Sequence, residues 1–172
     1  LLALWTLGSI ARCLLRQWLP ARRWSQQLCQ MGSDNGAFVS LDSAQPAAFT
    51  LGWLRPRVFI SSGMQAACSA RDIECILLHE SAHRQRRDNL RLLLGRLLAA
   101  PIPRRWCARA LEDLGLYCER ACDERAAQAT SRETVAAALL RVANIQQPAP
   151  APASLAFAGS ATELRIMAML AP

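Results

Sequence analysis

Only two histidines occur in this chain of 172 residues, and they stand four positions apart in His79-Glu80-Ser81-Ala82-His83. That spacing constrains the fold before anything else does. On an α-helix, residues i and i+4 lie on one face, so both imidazoles can turn toward one ion. A glutamate beside the first of them can hold a water at that ion and accept its proton. The segment is therefore expected to be helical, with zinc as its metal. The plainer alternative is a pair of histidines satisfied on a surface or in a core. A motif with a defined mechanism outweighs it.

A catalytic zinc takes three protein ligands and keeps one position open. No histidine remains, so the third ligand must be a carboxylate or a cysteine. The best segment is Tyr117-Cys118-Glu119-Arg120-Ala121-Cys122-Asp123-Glu124. Glu119 and Asp123 are four apart and share a helical face with Glu112, Leu116 and Ala126. One acid can bind the metal while the other hydrogen-bonds a ligating histidine. Glu112 on the same face, and Cys118 or Cys122 on neighbouring ones, compete for the ligand role. An ordinary charged helix face is the bland reading; beside H-E-x-x-H, the acid reading is preferred. No residue identifies itself as oxyanion stabiliser. Tyr117, the single tyrosine, is expected to be a packed aromatic, which leaves an arginine or a backbone N–H for that task.

The formal charge is +7, and all twenty basic residues are arginine. The absence of lysine, with abundant alanine, looks like a coding bias and weakens a nucleic-acid reading. Eight arginines between Arg84 and Arg109 accompany one acid, Asp88. Beside apolar stretches, that clustering fits anionic lipid headgroups on a cytoplasmic membrane face, or else a solvated basic helix face. The seven cysteines are odd in number and show no C-x-x-C pair. They make no disulfide framework, and a reducing compartment follows. Residues 1–11 are apolar and are followed by Arg12 and Arg16. Too short to cross a bilayer, which takes about 20 residues, this run is expected to be the cytoplasmic end of a truncated membrane helix.

Along the chain, residues 22–31 read as a polar helix or connector. Gly32-Ser33-Asp34-Asn35-Gly36 marks a turn. Residues 37–41, Ala48–Leu51 and Arg57–Ser61 read as three strands of a small antiparallel sheet. Ser69 with Asp72 forms a capping-box pattern, so a helix should start near Ala70 and run past Asp88 into residues 90–100, before Pro101 and Pro103. Further helices are expected over residues 104–129, from Thr130 with Glu133 to Ile145, and from Ser160 with Glu163 onward. Strands followed by a run of helices give an α+β fold. Three stretches result: the end of a membrane or membrane-surface helix over 1–19, the main domain over 20–145, and a Pro/Ala-rich connector with the start of a C-terminal helix over 146–172.

These motifs together resemble the gluzincin (zincin-like) domain of the BlaR/MecR-type antirepressor membrane metallopeptidases. The resemblance is carried by Phe49-Thr50-Leu51-Gly52, Pro56-Arg57-Val58-Phe59-Ile60, Leu77-Leu78-His79-Glu80-Ser81-Ala82-His83, Arg86-Arg87-Asp88 and Glu119-Arg120-Ala121-Cys122-Asp123-Glu124, with a fainter echo in Glu163-Leu164-Arg165-Ile166. Glu119 follows His83 by 36 positions, a gap shorter than is usual in the HtpX-type membrane proteases. The resemblance implies that His79, His83 and Glu119 bind Zn2+, that Glu80 is the general base, and that Asp123 is an acid that supports a ligating histidine by a hydrogen bond. It also implies a zinc endopeptidase in regulatory proteolysis, at the cytoplasmic face of a bacterial inner membrane. Its partners would be membrane lipid and a protein substrate such as a transcriptional repressor, with no nucleic acid. The flanking membrane helices are expected to be truncated, and no sensor domain is expected after Pro172, so ligand sensing is not carried over. A non-catalytic membrane signalling module with a structural zinc, its fourth position blocked by Cys118 or Cys122, is the alternative. The retained Glu80 argues against it.

Overall fold

A computed structural model describes residues 1–146 and 161–170. Its first element, α1 (Leu2–Met31), is a single helix that continues through Pro20. Residues 22–31, expected as a polar helix or connector, form its last turns. Among the described residues, no helix is long and apolar enough to cross a membrane.

Four short strands follow: β1 (Ser33–Asp34), β2 (Val39–Leu41), β3 (Ala48–Leu51) and β4 (Arg57–Ser61). The three expected strands are present, but the sheet is not antiparallel throughout. Its order is β1-β2-β4-β3, and β2 pairs with β4 in parallel. The cause is the turn at 52–56, which folds β3 back on β4 as an antiparallel hairpin and leaves β3 at the edge. Gly52 takes φ +108 there, and a Cβ on it would stand 2.9 Å from the Arg55 carbonyl. β1 grows out of the expected turn cluster, which the sequence showed only as a loop.

Alternation along β4 gives the sheet two buried faces. Val58 and Ile60 pack with Met64 and Ile76, whereas Phe59 packs with Val39 and Leu41 beneath Leu28 and Cys29 of α1. Phe49 stacks on Phe59 with centroids 5.4 Å apart. The sheet thus lies between α1 and the helices α2 (Ser62–Ala67) and α3 (Ala70–Arg86). The helical body is completed by α4 (Asp88–Ala99), α5 (Arg104–Ala129), α6 (Arg132–Gln146) and α7 (Ala161–Leu170). Its core joins Cys75, Ala126, Val135, Ala138 and Met169.

Local chemistry sets the helix boundaries. The expected capping box starts α3: Ser69 accepts from the Asp72 backbone N–H, and the Asp72 side chain accepts from the Ser69 N–H. α6 is capped by Ser131, whose Oγ accepts from Thr134 N at 3.2 Å. The expected cap, Thr130, instead donates to the Ala126 carbonyl at 2.9 Å. The expected continuous helix through residue 88 is broken. Arg87 adopts the left-handed conformation, φ 55 and ψ 44, and serves as the last residue of one helix and the entry to the next. Of the expected proline-rich connector over residues 146–153, Gln146 ends α6, and the rest, like Ser160, lies outside the described residues.

A side chain with Cβ pays for the left-handed region, and a β-branched one pays most. Arg87→Val is expected to lower unfolding stability by about 1–2 kcal/mol, whereas Arg87→Gly is expected to leave it unchanged or raise it. Urea denaturation of the two variants checks this.

Candidate functional site

α3 brings His79 and His83 onto one face, with their rings edge to face and centroids 4.8 Å apart. α5 crosses beside it and presents Glu119 and Asp123 from consecutive turns. The two Nε2 atoms lie 3.1 Å from one another. Glu119 faces both, with Oε2 3.5 Å from His79 Nε2 and Oε1 3.4 Å from His83 Nε2. Of the competing ligands, Cys118 is fully buried and Glu112 is exposed two turns earlier on α5.

The other ring nitrogens are anchored by carboxylates. His79 Nδ1 stands 2.9 Å from Asp123 Oδ1, and His83 Nδ1 stands 3.0 Å from Asp88 Oδ2. Both acids are sealed from solvent, Asp123 at 0% and Asp88 at 1% exposure. Buried carboxylates need compensation, and each has it. Arg165 of α7 binds Asp123 through two bonds of 2.7 Å and reaches Glu119 Oε2 at 2.9 Å. Asp88 accepts from Arg86 Nε at 3.1 Å, Arg91 Nη1 at 3.2 Å and the Cys122 thiol at 3.4 Å.

Sequence reasoning left Asp88 and Arg165 without a task. Asp88 stood out as the lone acid among arginines and in the Arg86-Arg87-Asp88 segment of the resemblance, and Arg165 only in the faint C-terminal echo. Asn89 was missed as well. Its Nδ2 donates to the carbonyls of Thr50 and Gly52 at 2.8 and 3.2 Å, pinning β3 against the start of α4. The Thr50 hydroxyl in turn lies 2.7 Å from Glu80 Oε2 and 2.9 Å from the Glu80 carbonyl. The edge strand therefore holds the carboxylate between the histidines. Tyr117 stays outside: it is 63% exposed, with the Arg86 guanidinium 5.8 Å from its ring centre.

The electrostatics follow from these contacts. Burial alone would lower the His79 pKa; hydrogen bonds to Asp123 and Glu119 outweigh it and raise the value to about 9. Burial alone would raise the Glu119 pKa; bonds from both histidines and the charge of Arg165 hold it well below the usual range instead. Asp123 is lowered against the same burial penalty, by Arg165 first and His79 second. Burial and the neighbouring Asp88 push the Cys122 thiol far up.

Two groups could hold a metal among the described residues: His79, His83 and Glu119, or His83, Asp88 and Cys122. The first fits zinc. Bonds of about 2.0–2.1 Å at tetrahedral angles require donor atoms about 3.3–3.4 Å apart, and the observed separations are 3.1, 3.4 and 3.5 Å. Both imidazoles are oriented by carboxylates at Nδ1, as metal-binding histidines commonly are. The second group is a poor match, since Asp88 is already neutralised by two arginines and the Cys122 thiol resists ionisation.

Zinc titrations test this arrangement. The His79 proton must leave before Nε2 can bind a cation, so affinity is expected to rise with pH toward about 9. Asp88→Asn, which removes the His83 anchor, is expected to weaken binding about 10–100-fold at constant pH, with the far-ultraviolet spectrum unchanged.

Residues 22–111, just over half the chain, match the model of peptidase family M48. The matched region includes His79, Glu80, His83 and Asp88 and ends before Glu119. No curated protein and no solved structure matches the chain.

Proposed function

We propose, from the premise that the chain belongs to peptidase family M48, a family of zinc-dependent metallopeptidases, that it is an endopeptidase cleaving a cytoplasmic protein at the cluster of His79, His83 and Glu119. One observation carries the reading: three donor atoms stand at zinc spacing with Glu80 in the adjoining cavity. Zinc bound there supplies a Lewis acid that polarises a carbonyl and acidifies a water. Glu80 takes the proton of the attacking water and passes it to the leaving amine. Thr50 fixes the Glu80 carboxylate for that transfer. β3, paired on one side only among the described residues, offers its outer edge to an extended peptide. Arg165 is the cation nearest the ligand carboxylate and keeps Glu119 and Asp123 ionised.

The finer reading is an antirepressor-type enzyme of the BlaR/MecR kind, acting in regulatory proteolysis at the cytoplasmic face of a bacterial inner membrane, with a transcriptional repressor as substrate. It is supported by the short gap between His83 and Glu119 and by the motifs at residues 49–60. Membrane association is supported by α1, which carries four arginines and no acid and exposes Leu4, Trp5, Leu7, Leu15, Leu19 and Trp24. A structural zinc with a blocked fourth position finds less support. Cys122 is turned to Asp88, and the ligands border an open cavity of about 370 Å³.

Elemental analysis with a peptide-hydrolysis assay tests the enzyme. Glu80→Gln is expected to keep zinc and lose about a hundredfold or more in kcat; His83→Ala and Glu119→Ala are expected to lose the metal. Wild-type turnover by Glu80→Gln would refute the mechanism. Flotation with phosphatidylglycerol vesicles tests the membrane reading. Binding is expected to weaken when Trp5 and Trp24 are replaced by serine, and equal binding by that variant would remove α1 from the interface.

A further inference from the structure

Helix α1 is fastened at two places and bridges the gap between them. Near its middle, Gln17 accepts from Arg96 Nη1 of α4 at 2.8 Å, and toward its end Leu28 and Cys29 pack on the sheet. Beside that span a cavity of about 340 Å³ opens, walled by α1, by the turn at 52–56 and by α4. Its apolar lining is Leu14 and Ala21 of α1, Trp53 and Leu54 of the turn, and Leu90 and Leu93 of α4. The space is open to solvent. Leu93 alone is buried, at 6% exposure, while Leu14, Ala21, Trp53 and Leu90 are half-buried and Leu54 is 68% exposed. Two exposed arginines, Arg22 and Arg55, line the same cavity. No carboxylate lines it, and among the described residues neither guanidinium has an ion-pair partner.

We infer that this cavity binds one acyl chain of an anionic phospholipid, phosphatidylglycerol, with the lipid phosphate held between Arg22 and Arg55. The inference rests on the membrane reading of α1 and names the lipid. An apolar space edged by unpaired cations suits an amphiphile with an anionic head. The chain takes apolar walls out of water, and guanidinium groups bind phosphate oxygens through paired hydrogen bonds. Ser25 and Gln26, also in the lining, offer neutral hydrogen-bonding groups to a glycerol ester. Space is sufficient for one chain, since an apolar cavity of about 150 Å³ already accommodates benzene. Access runs along α1. Leu15, Leu19 and Arg22 follow one another at four and three positions and so share a face, and both leucines are exposed. A bilayer that meets those leucines therefore brings its lipid to the mouth of the cavity.

Short-chain phospholipids test the inference, because below their micelle concentration they bind as single molecules and report the cavity apart from any bilayer. Dihexanoylphosphatidylglycerol, dihexanoylphosphatidylcholine and hexanoate are titrated calorimetrically into the zinc-loaded full chain. The phosphatidylglycerol is expected to saturate one site per chain and to bind at least about tenfold more tightly than the other two. Arg22→Gln combined with Arg55→Gln is expected to bring it down to the phosphatidylcholine affinity, which itself stays unchanged. Ala21→Phe and Ser25→Phe fill the cavity from successive turns of α1. Each is expected to weaken phosphatidylglycerol binding at least about tenfold with the far-ultraviolet spectrum unchanged, so the result does not hang on one variant. Equal affinities for the two phospholipids, or wild-type affinity in both filled variants, would overturn the inference. Hexanoate bound as tightly as phosphatidylglycerol would overturn it in favour of a free fatty acid. Flotation with phosphatidylglycerol vesicles separates this result from the membrane reading. A chain that floats but binds no soluble lipid would overturn the inference and keep the membrane reading. Saturable binding of the soluble lipid by a chain that stays off vesicles would overturn the membrane reading and leave the phospholipid site standing.

Discussion

Two carboxylates with no access to water, Asp123 and Asp88, impose the conditions that the rest of this site must meet. A buried carboxylate is tolerable only when its charge is matched and its oxygens are hydrogen-bonded. Each here takes one histidine Nδ1 and at least one guanidinium. Those partners come from different helices. α3 gives the imidazoles and Arg86, α4 gives Asp88 and Arg91, α5 gives Asp123, and α7 gives Arg165. The charge pairing therefore fixes how four helices approach one another, and it fixes ring orientation as a by-product. With Nδ1 committed on both rings, Nε2 is left facing Glu119 on both.

The sheet enters the same network from the other side. Phe49 and Leu51 of β3 belong to the cluster under α1, which ties the edge strand to the core. Asn89 and Thr50 then tie that strand to α4 and to Glu80. Glu80 is thus held by the edge strand, through the Thr50 hydroxyl.

What the sequence disclosed, and what it hid, follow a physical division. The helix bearing both histidines was legible because i, i+4 geometry and the Ser69–Asp72 capping box are local. Glu119 and Asp123 were legible because they repeat that spacing. Asp88 was obscured by the assumption of an unbroken helix. Had the chain continued helically through Arg87, Asp88 would have pointed elsewhere, and no glycine or asparagine stands at position 87 to announce the left-handed turn there. Arg165 was hidden for another reason: its meaning lies wholly in a contact 42 positions distant. The parallel pairing of β2 with β4 was hidden likewise, since alternation reports which face is buried and says nothing of strand direction. Thr130 and Ser131 are adjacent and chemically equivalent as caps, and only the backbone path distinguishes them.

The separation between Asp123 and its cation also has a temporal meaning. A chain emerging from the ribosome presents its N-terminal elements first, so both histidines and both anchoring acids exist before Arg165 has been synthesised. During that interval Asp123 has a histidine but no guanidinium, and the α5 end of the knot has every reason to stay open. Docking of α7 is the step that neutralises it. The cluster is therefore complete only once α7, whose Arg165 lies 42 positions beyond Asp123, has been made and has docked.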